Sequence, residues 1–215
     1  MPRHLPSRTI LSVVSFVENY TLQPQNEIQS QYYHIEKVSI MVHITYRHGP
    51  NRNEEKRVIL KECHFYISDD QTHEIHYVQH CFKLFYDHVI TMDIPFFRHL
   101  IWSYDCARKF KNARVFKWLC LLHPKYKVPH IWNYFETGHG NGEHDGAGAC
   151  IKTVLRREEM KFRGARLQDV ASIVKWCASV MEEQSTRNNL VWRIFLEVKN
   201  VDRSNTHRVN TVHGT

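Results

Sequence analysis

Residues Ile10–Val17 form an unbroken apolar, β-branched run, the signature of a strand buried on both faces. Val38–Tyr46 alternates apolar and polar positions and predicts a second strand. Between them, Glu18–Gln31 is polar, contains Pro24 and reads as a loop or irregular strand. His48-Gly49-Pro50-Asn51 marks a turn, and Lys56–Ile67 follows as a third strand, so the chain opens on a β-meander. His73–His88 changes period: Ile75, Val78, Cys81, Phe82 and Phe85 fall on one helical face. Asp69-Asp70, just before it, suits a helix cap better than a cation site. His99–Ser103 predicts a fourth strand, Phe110–Leu122 a helix, Lys125–Pro129 a linker and His130–Phe135 a fifth strand. A helix is expected from about Gly148 to Lys161 and another over Leu167–Met181. Leu190–Val198 is a further short apolar run with strand character. Trp118, Trp176 and Trp192 are expected in the core.

The order is β-β-β-α-β-α-β-α with helical material after it. Three meandering strands followed by alternating helices and strands is the order of a ribonuclease-H-like α/β fold with a mixed five-stranded sheet. The expected organisation is a tail or targeting segment over 1–9, a core over 10–162, a C-terminal helical extension over 163–199 and a tail over 200–215. A chain of 215 residues suits one such domain. No apolar run approaches the roughly 20 residues that span a bilayer.

Charge adds one constraint. The net charge of +7 favours polyanions or anionic surfaces as partners, although no basic block stands out. The six cysteines are scattered and none forms a CxxC pair, so a zinc finger is not expected and reduced thiols are. Residues 1–17 carry Arg3, Arg8 and three serines with no acid, a composition compatible with a mitochondrial presequence. Pro2 and Pro6 oppose a helix there, and a tail entering the first strand is the plainer reading.

The chemistry concentrates in Thr137–Cys150, which holds five of the eight glycines together with His139, Glu143, His144 and Asp145. A strand leading through a glycine turn into a helix is a common seat for a reactive or anion-binding group. His139 and His144 lack a third ligand at zinc spacing. Cys106 or Cys150 as a nucleophile would need a paired histidine, and with 16 histidines in the chain such proximity carries little weight.

Four ordered blocks carry a resemblance: Val14–Tyr20 (VSFVENY), His64–Asp70 (HFYISDD), Trp102–Asn112 (WSYDCARKFKN) and Gly138–Gly148 (GHGNGEHDGAG). Together they resemble transposase-like proteins of plant and animal genomes, whose core is a ribonuclease-H-like DDE domain. The resemblance implies a two-metal phosphodiester-transfer site. In such a site two divalent ions about 4 Å apart are held by carboxylates from the first strand, the fourth strand and a later helix. This chain departs from that pattern at the acids themselves. Ser15 replaces the first-strand aspartate, and Tyr104 replaces the aspartate of the W-S-D-G block. Asp105 follows one residue on, where strand alternation aims it at the opposite face. Asp145 and Glu143 remain of the acidic set.

The resemblance with these departures leads to a catalytically inactive, transposase-derived protein. Such a protein would act intracellularly through contacts with another protein, and an interfering or cytotoxic role is one form of that. No cofactor or metal is expected. The alternatives are a Mg²⁺-dependent nuclease using Asp105, Glu143 and Asp145, or a residual DNA- or RNA-binding protein. For the last, Arg108, Lys109, Lys111, Arg114 and Lys117 are the phosphate-contacting candidates. Ancestry suggests nucleus or cytoplasm, and the acid-free N-terminus keeps the mitochondrion as the alternative. Partner identity and oligomeric state are left open.

Overall fold

The computed structural model describes residues 4–22, 37–49, 58–104, 110–136, 142–161, 163–165, 167–182 and 191–204; of Glu18 and Tyr104 it describes the backbone alone. The fold is α/β, built on a mixed sheet. Three strands open it: β1 (Thr9–Thr21), β2 (Lys37–His48) and β3 (Ile59–Ser68). Then come helix α1 (Ile75–Thr91), β4 (Arg98–Tyr104), α2 (Ala113–Tyr126), β5 (His130–Phe135) and α3 (Glu143–Glu159). The chain continues through α4 (Val170–Cys177), a π-helical turn over Ala178–Glu182 and β6 (Val191–Glu197).

The strand order is β5-β4-β1-β2-β3-β6. β1, β2 and β3 pair antiparallel, whereas β4 joins β1, β5 joins β4 and β6 joins β3 in parallel. The expected five strands therefore become six. The run Leu190–Val198 supplies the extra one, so the chain beyond residue 163 is not purely helical. Its pairing with β3 is cemented by Phe195 stacked on Phe65, with ring centroids 4.9 Å apart.

Strand alternation divides the side chains into two cores. On one face Ile10, Val14, Met41, Tyr66 and Ile101 pack under α1 and α2 against Val78, Phe82, Phe85 and Val115. On the other, Val42, Ile44, Phe65 and Ile67 meet Ile151 and Leu155 of α3 and Ile173 and Cys177 of α4. With helices on both faces, β2 is buried almost from end to end. That double cover explains the near-continuous apolar runs of the first two strands.

Element ends differ from expectation in instructive ways. Asp69-Asp70 does not cap α1. The N-cap is Glu74, which makes no side-chain capping bond, while Asp70 Oδ1 accepts from the Thr72 N–H (3.0 Å) and pairs with Arg203. α2 is capped by Asn112, whose Oδ1 accepts from the N–H groups of Arg114 (3.0 Å) and Val115 (3.1 Å). It runs past Pro124 into the expected linker and ends at Lys127 in the left-handed region. α3 starts five residues before Gly148, because the Gly142 N–H donates to Asp145 Oδ2 (2.9 Å) and closes the first turn. Trp118 and Trp176 pack against the cores as expected, but Trp192 is exposed, because β6 forms the sheet edge. The acid-poor segment after Thr9 is the interior of β1, and Leu5 ahead of it is buried.

Candidate functional site

Of the residues expected to descend from a two-metal site, Ser15, Glu143 and Asp145 are engaged in structural contacts. Ser15 lies on β1 in the row that faces α3, nearly fully buried, with its Oγ donating to the Phe16 carbonyl (3.3 Å). Tyr104 ends β4, its backbone paired with Phe135. Asp105 lies outside the described residues, as do Cys106, Arg108, Lys109 and His139. Glu143, the first residue of α3, pairs with Lys61 of β3 and accepts from the Tyr46 hydroxyl of β2. Partial burial works to raise the Glu143 carboxyl, but Lys61 and Tyr46 hold it at about 2. Asp145 serves the helix start, and His144 Nε2 stands 3.4 Å from Asp145 Oδ2. The His144 ring is buried and stacks on Phe135, which takes it away from the surface ligand position considered for it.

The nucleic-acid candidates that are described, Lys111, Arg114 and Lys117, lie exposed at and just after the start of α2; Lys111 Nζ stands 5.6 Å from the Tyr134 ring centroid. A second basic cluster went unnoticed in the sequence. Lys152, Arg156 and Arg157 of α3 line an open cavity of about 500 Å³ at the end of β1, together with Tyr20. Their spacing at i, i+4 and i+5 was the available signal. Arg156 there pairs with Glu159 (3.2 Å), which also accepts from the Tyr20 hydroxyl (2.5 Å). Among the described cysteines, all free, Cys63, Cys81 and Cys177 are buried, and burial pushes their thiols up, away from the nucleophilic thiolate. Cys150 is exposed on α3.

The sheet face beneath α1 carries what sequence reasoning missed, a row of buried polar side chains crossing the strands. At its centre Ser12 Oγ lies 2.7 Å from both His43 Nε2 and His99 Nε2. His99 Nδ1 is 3.0 Å from the Tyr86 hydroxyl of α1. Beyond His99 the row reaches His130, with ring centroids 5.5 Å apart. Beyond His43 it reaches His64 (5.6 Å) and then His88 of α1, whose ring stands 5.3 Å from that of His64. Phe82 and Phe85 pack over His43, at 5.1 and 4.6 Å between centroids. Burial drives His43 and His99 well below the ordinary imidazole range, and the neighbouring imidazoles add to it. His130 is lowered to about 4, again chiefly by burial. His43, His99 and His130 are therefore neutral at physiological pH and act as hydrogen-bonding groups.

At the β3 end, Glu62 Oε1 accepts from Arg47 Nε (3.1 Å) and Nη2 (2.5 Å). Burial would raise the Glu62 carboxyl; His64 and Arg47 overcome it and hold it at about 2. Its other oxygen, Oε2, faces His64 Nε2 at 3.5 Å and His88 Nε2 at 3.8 Å.

A family described as a domain of unknown function (DUF8701) matches residues 2–213. The chain belongs to that family. No curated protein and no solved structure matches the chain. The match takes in every element of the DUF8701 fold, from β1 to β6. No helix among its described residues is long and apolar enough to cross a membrane. The polar row of this DUF8701 chain had two signals in the sequence. Glu62 and His64 share a strand face at period two, and His88 prolongs the α1 stripe of Val78, Phe82 and Phe85 by one step of three.

Proposed function

We propose that this DUF8701 chain is a transposase-derived, ribonuclease-H-like domain that has lost phosphodiester transfer and works as a binding surface for another protein. One observation carries the reading: what has become of the acidic positions. Ser15 stands where a metal-bridging carboxylate is needed, Glu143 is tied to Lys61 and Tyr46, and Asp145 closes the first turn of α3. A two-metal site needs several convergent carboxylates, and groups already satisfied by a lysine or a helix end hold a second dication poorly. The sheet order supports the ancestry. An antiparallel β1-β2-β3 meander with β4 and β5 added in parallel beside β1 is the arrangement the four sequence blocks imply.

For a partner the domain offers the face of α1 and α2. A cavity of about 340 Å³ opens between these helices, lined by His80, Lys83, Trp118 and Tyr126, with exposed Phe116 and Leu121 on α2. Residual nucleic-acid binding is the second reading, favoured by Lys152, Arg156 and Arg157 around their own cavity. A cleavage assay on plasmid and single-stranded DNA with Mg²⁺ or Mn²⁺ tests the loss of catalysis. DNA titrations at two salt concentrations separate the two binding readings, because phosphate-driven affinity falls steeply with salt.

A further inference from the structure

We propose that Glu62, His64 and His88 form a binding site for one divalent transition-metal ion of the zinc class, clamping β3 to the last turn of α1. The site is on the sheet face opposite α3, so it is separate from the ancestral acidic positions and independent of the function proposed above. Glu62 and His64 are two residues apart on β3 and point to the same face, and α1 brings His88 over them. One ligand atom from each of the three residues lies within 4.8 Å of the others.

The spacing suits coordination. Metal–ligand bonds of about 2.0–2.2 Å in a tetrahedral shell set neighbouring ligand atoms about 3.4 Å apart. Glu62 Oε2 stands 3.5 Å from His64 Nε2 and 3.8 Å from His88 Nε2, within a few tenths of an ångström of that spacing, and the ligand atoms of the two histidines lie within 4.8 Å of each other. These contacts are too long for good hydrogen bonds. Both ring nitrogens of His64 and Nε2 of His88 are buried without a hydrogen-bond partner. Burying such groups unsatisfied is costly, and a bound cation removes that cost for the two coordinating nitrogens.

Arg47 holds Glu62 Oε1 and leaves Oε2 directed at the two imidazoles, the orienting role that outer groups play around metal carboxylates. Two imidazoles and one carboxylate select Zn²⁺ and its neighbours over Mg²⁺ or Ca²⁺. Three protein ligands leave the fourth position to water. The His64 and Glu62 side chains are closed off at 0% and 2% exposure, whereas His88 is 24% exposed and gives the ion its way in.

The test uses the full chain, stripped with a chelator and titrated with Zn²⁺ and with Co²⁺. The expected result is one ion per chain, a Zn²⁺-dependent rise in melting temperature and the visible ligand-field bands of tetrahedral cobalt. His88→Ala should weaken binding by more than about 100-fold, beyond the effect typical of losing an outer-shell partner, and abolish the bands. His88→Gln serves as a second variant should the alanine protein not fold. His80→Ala, on the same helix but outside the trio, should change neither readout. Binding of less than one equivalent, or equal affinity in the His88 variants, would overturn the proposal. The second outcome would place the ion among the chain's other histidines.

Discussion

Ser12 shows how much one side chain can decide. A hydroxyl has one proton, so Ser12 donates to one of His43 and His99 and accepts from the other, and this fixes their tautomers relative to each other. All three residues are fully buried. Ser12→Ala would leave two imidazole nitrogens unsatisfied and should cost about 2–4 kcal/mol of unfolding free energy. Urea denaturation measures this; a loss under about 1 kcal/mol would mean the rings find other partners. The same rings set an acid dependence. His43, His99 and His130 have folded-state values below the unfolded value of about 6.5, so the unfolded chain binds protons that the folded chain refuses. Stability is therefore full above about pH 7 and falls as pH drops, by up to about 1.4 kcal/mol per pH unit for each ring. For His130 the loss is complete near its folded value of about 4, and for His43 and His99 it continues until their own lowered values are passed. Melting temperatures at pH 7.5, 6.5 and 5.5 should decline in step, and a flat profile would show that these rings protonate in place. Most of the row was illegible in the sequence because its members come from five strands and a helix. Apart from Glu62 and His64 at period two and His88 on the α1 stripe, nothing local marks, among 16 histidines, the ones that topology aligns.

At the scale of elements, α3 is where the sequence misled and where the reason is physical. The glycine turn reads as the seat of a reactive or anion-binding group with the helix beginning at about Gly148, yet the helix already starts at Glu143 and holds both Gly146 and Gly148. Their reasons differ. A Cβ at Gly148 would stand 2.5 Å from Val17 Cγ2, so the missing side chain is what lets α3 lie against β1. A Cβ at Gly146 meets nothing within 4 Å. Gly146→Ala should therefore stabilise by about 0.5–1 kcal/mol through helix propensity. Gly148→Ala should destabilise by about 1–3 kcal/mol, because overpacking outweighs the same gain. Thermal unfolding of the pair checks this, and equal shifts would contradict the packing described. The first five strands were legible because burial on one or both faces writes itself into apolar runs or alternation. His130–Phe135 matches β5 end to end. Boundaries set by a single cap, such as Asn112 before α2 or Asp145 in α3, carry too weak a local signal to read in advance.

At the scale of the whole molecule, one six-stranded sheet separates two faces with different polar chemistry. The α3 face carries the positions where the resemblance places metal-binding acids, now filled by Ser15 or committed to Lys61 and to the helix start. The α1 face carries the histidine row and the Glu62, His64 and His88 trio. The proposed ancestry rests on four spaced blocks, but the engagement of the acidic positions depends on contacts between residues as distant as Lys61 and Glu143, which no local pattern records. The central claim is that the α3 face no longer transfers phosphodiesters. Its most direct test is Mg²⁺- and Mn²⁺-dependent cleavage of plasmid and single-stranded DNA by the full chain, with Asp145→Ala alongside. The account predicts no cleavage above background for either protein. Metal-dependent cleavage by the natural chain that Asp145→Ala abolishes, in a variant that remains folded, would contradict it.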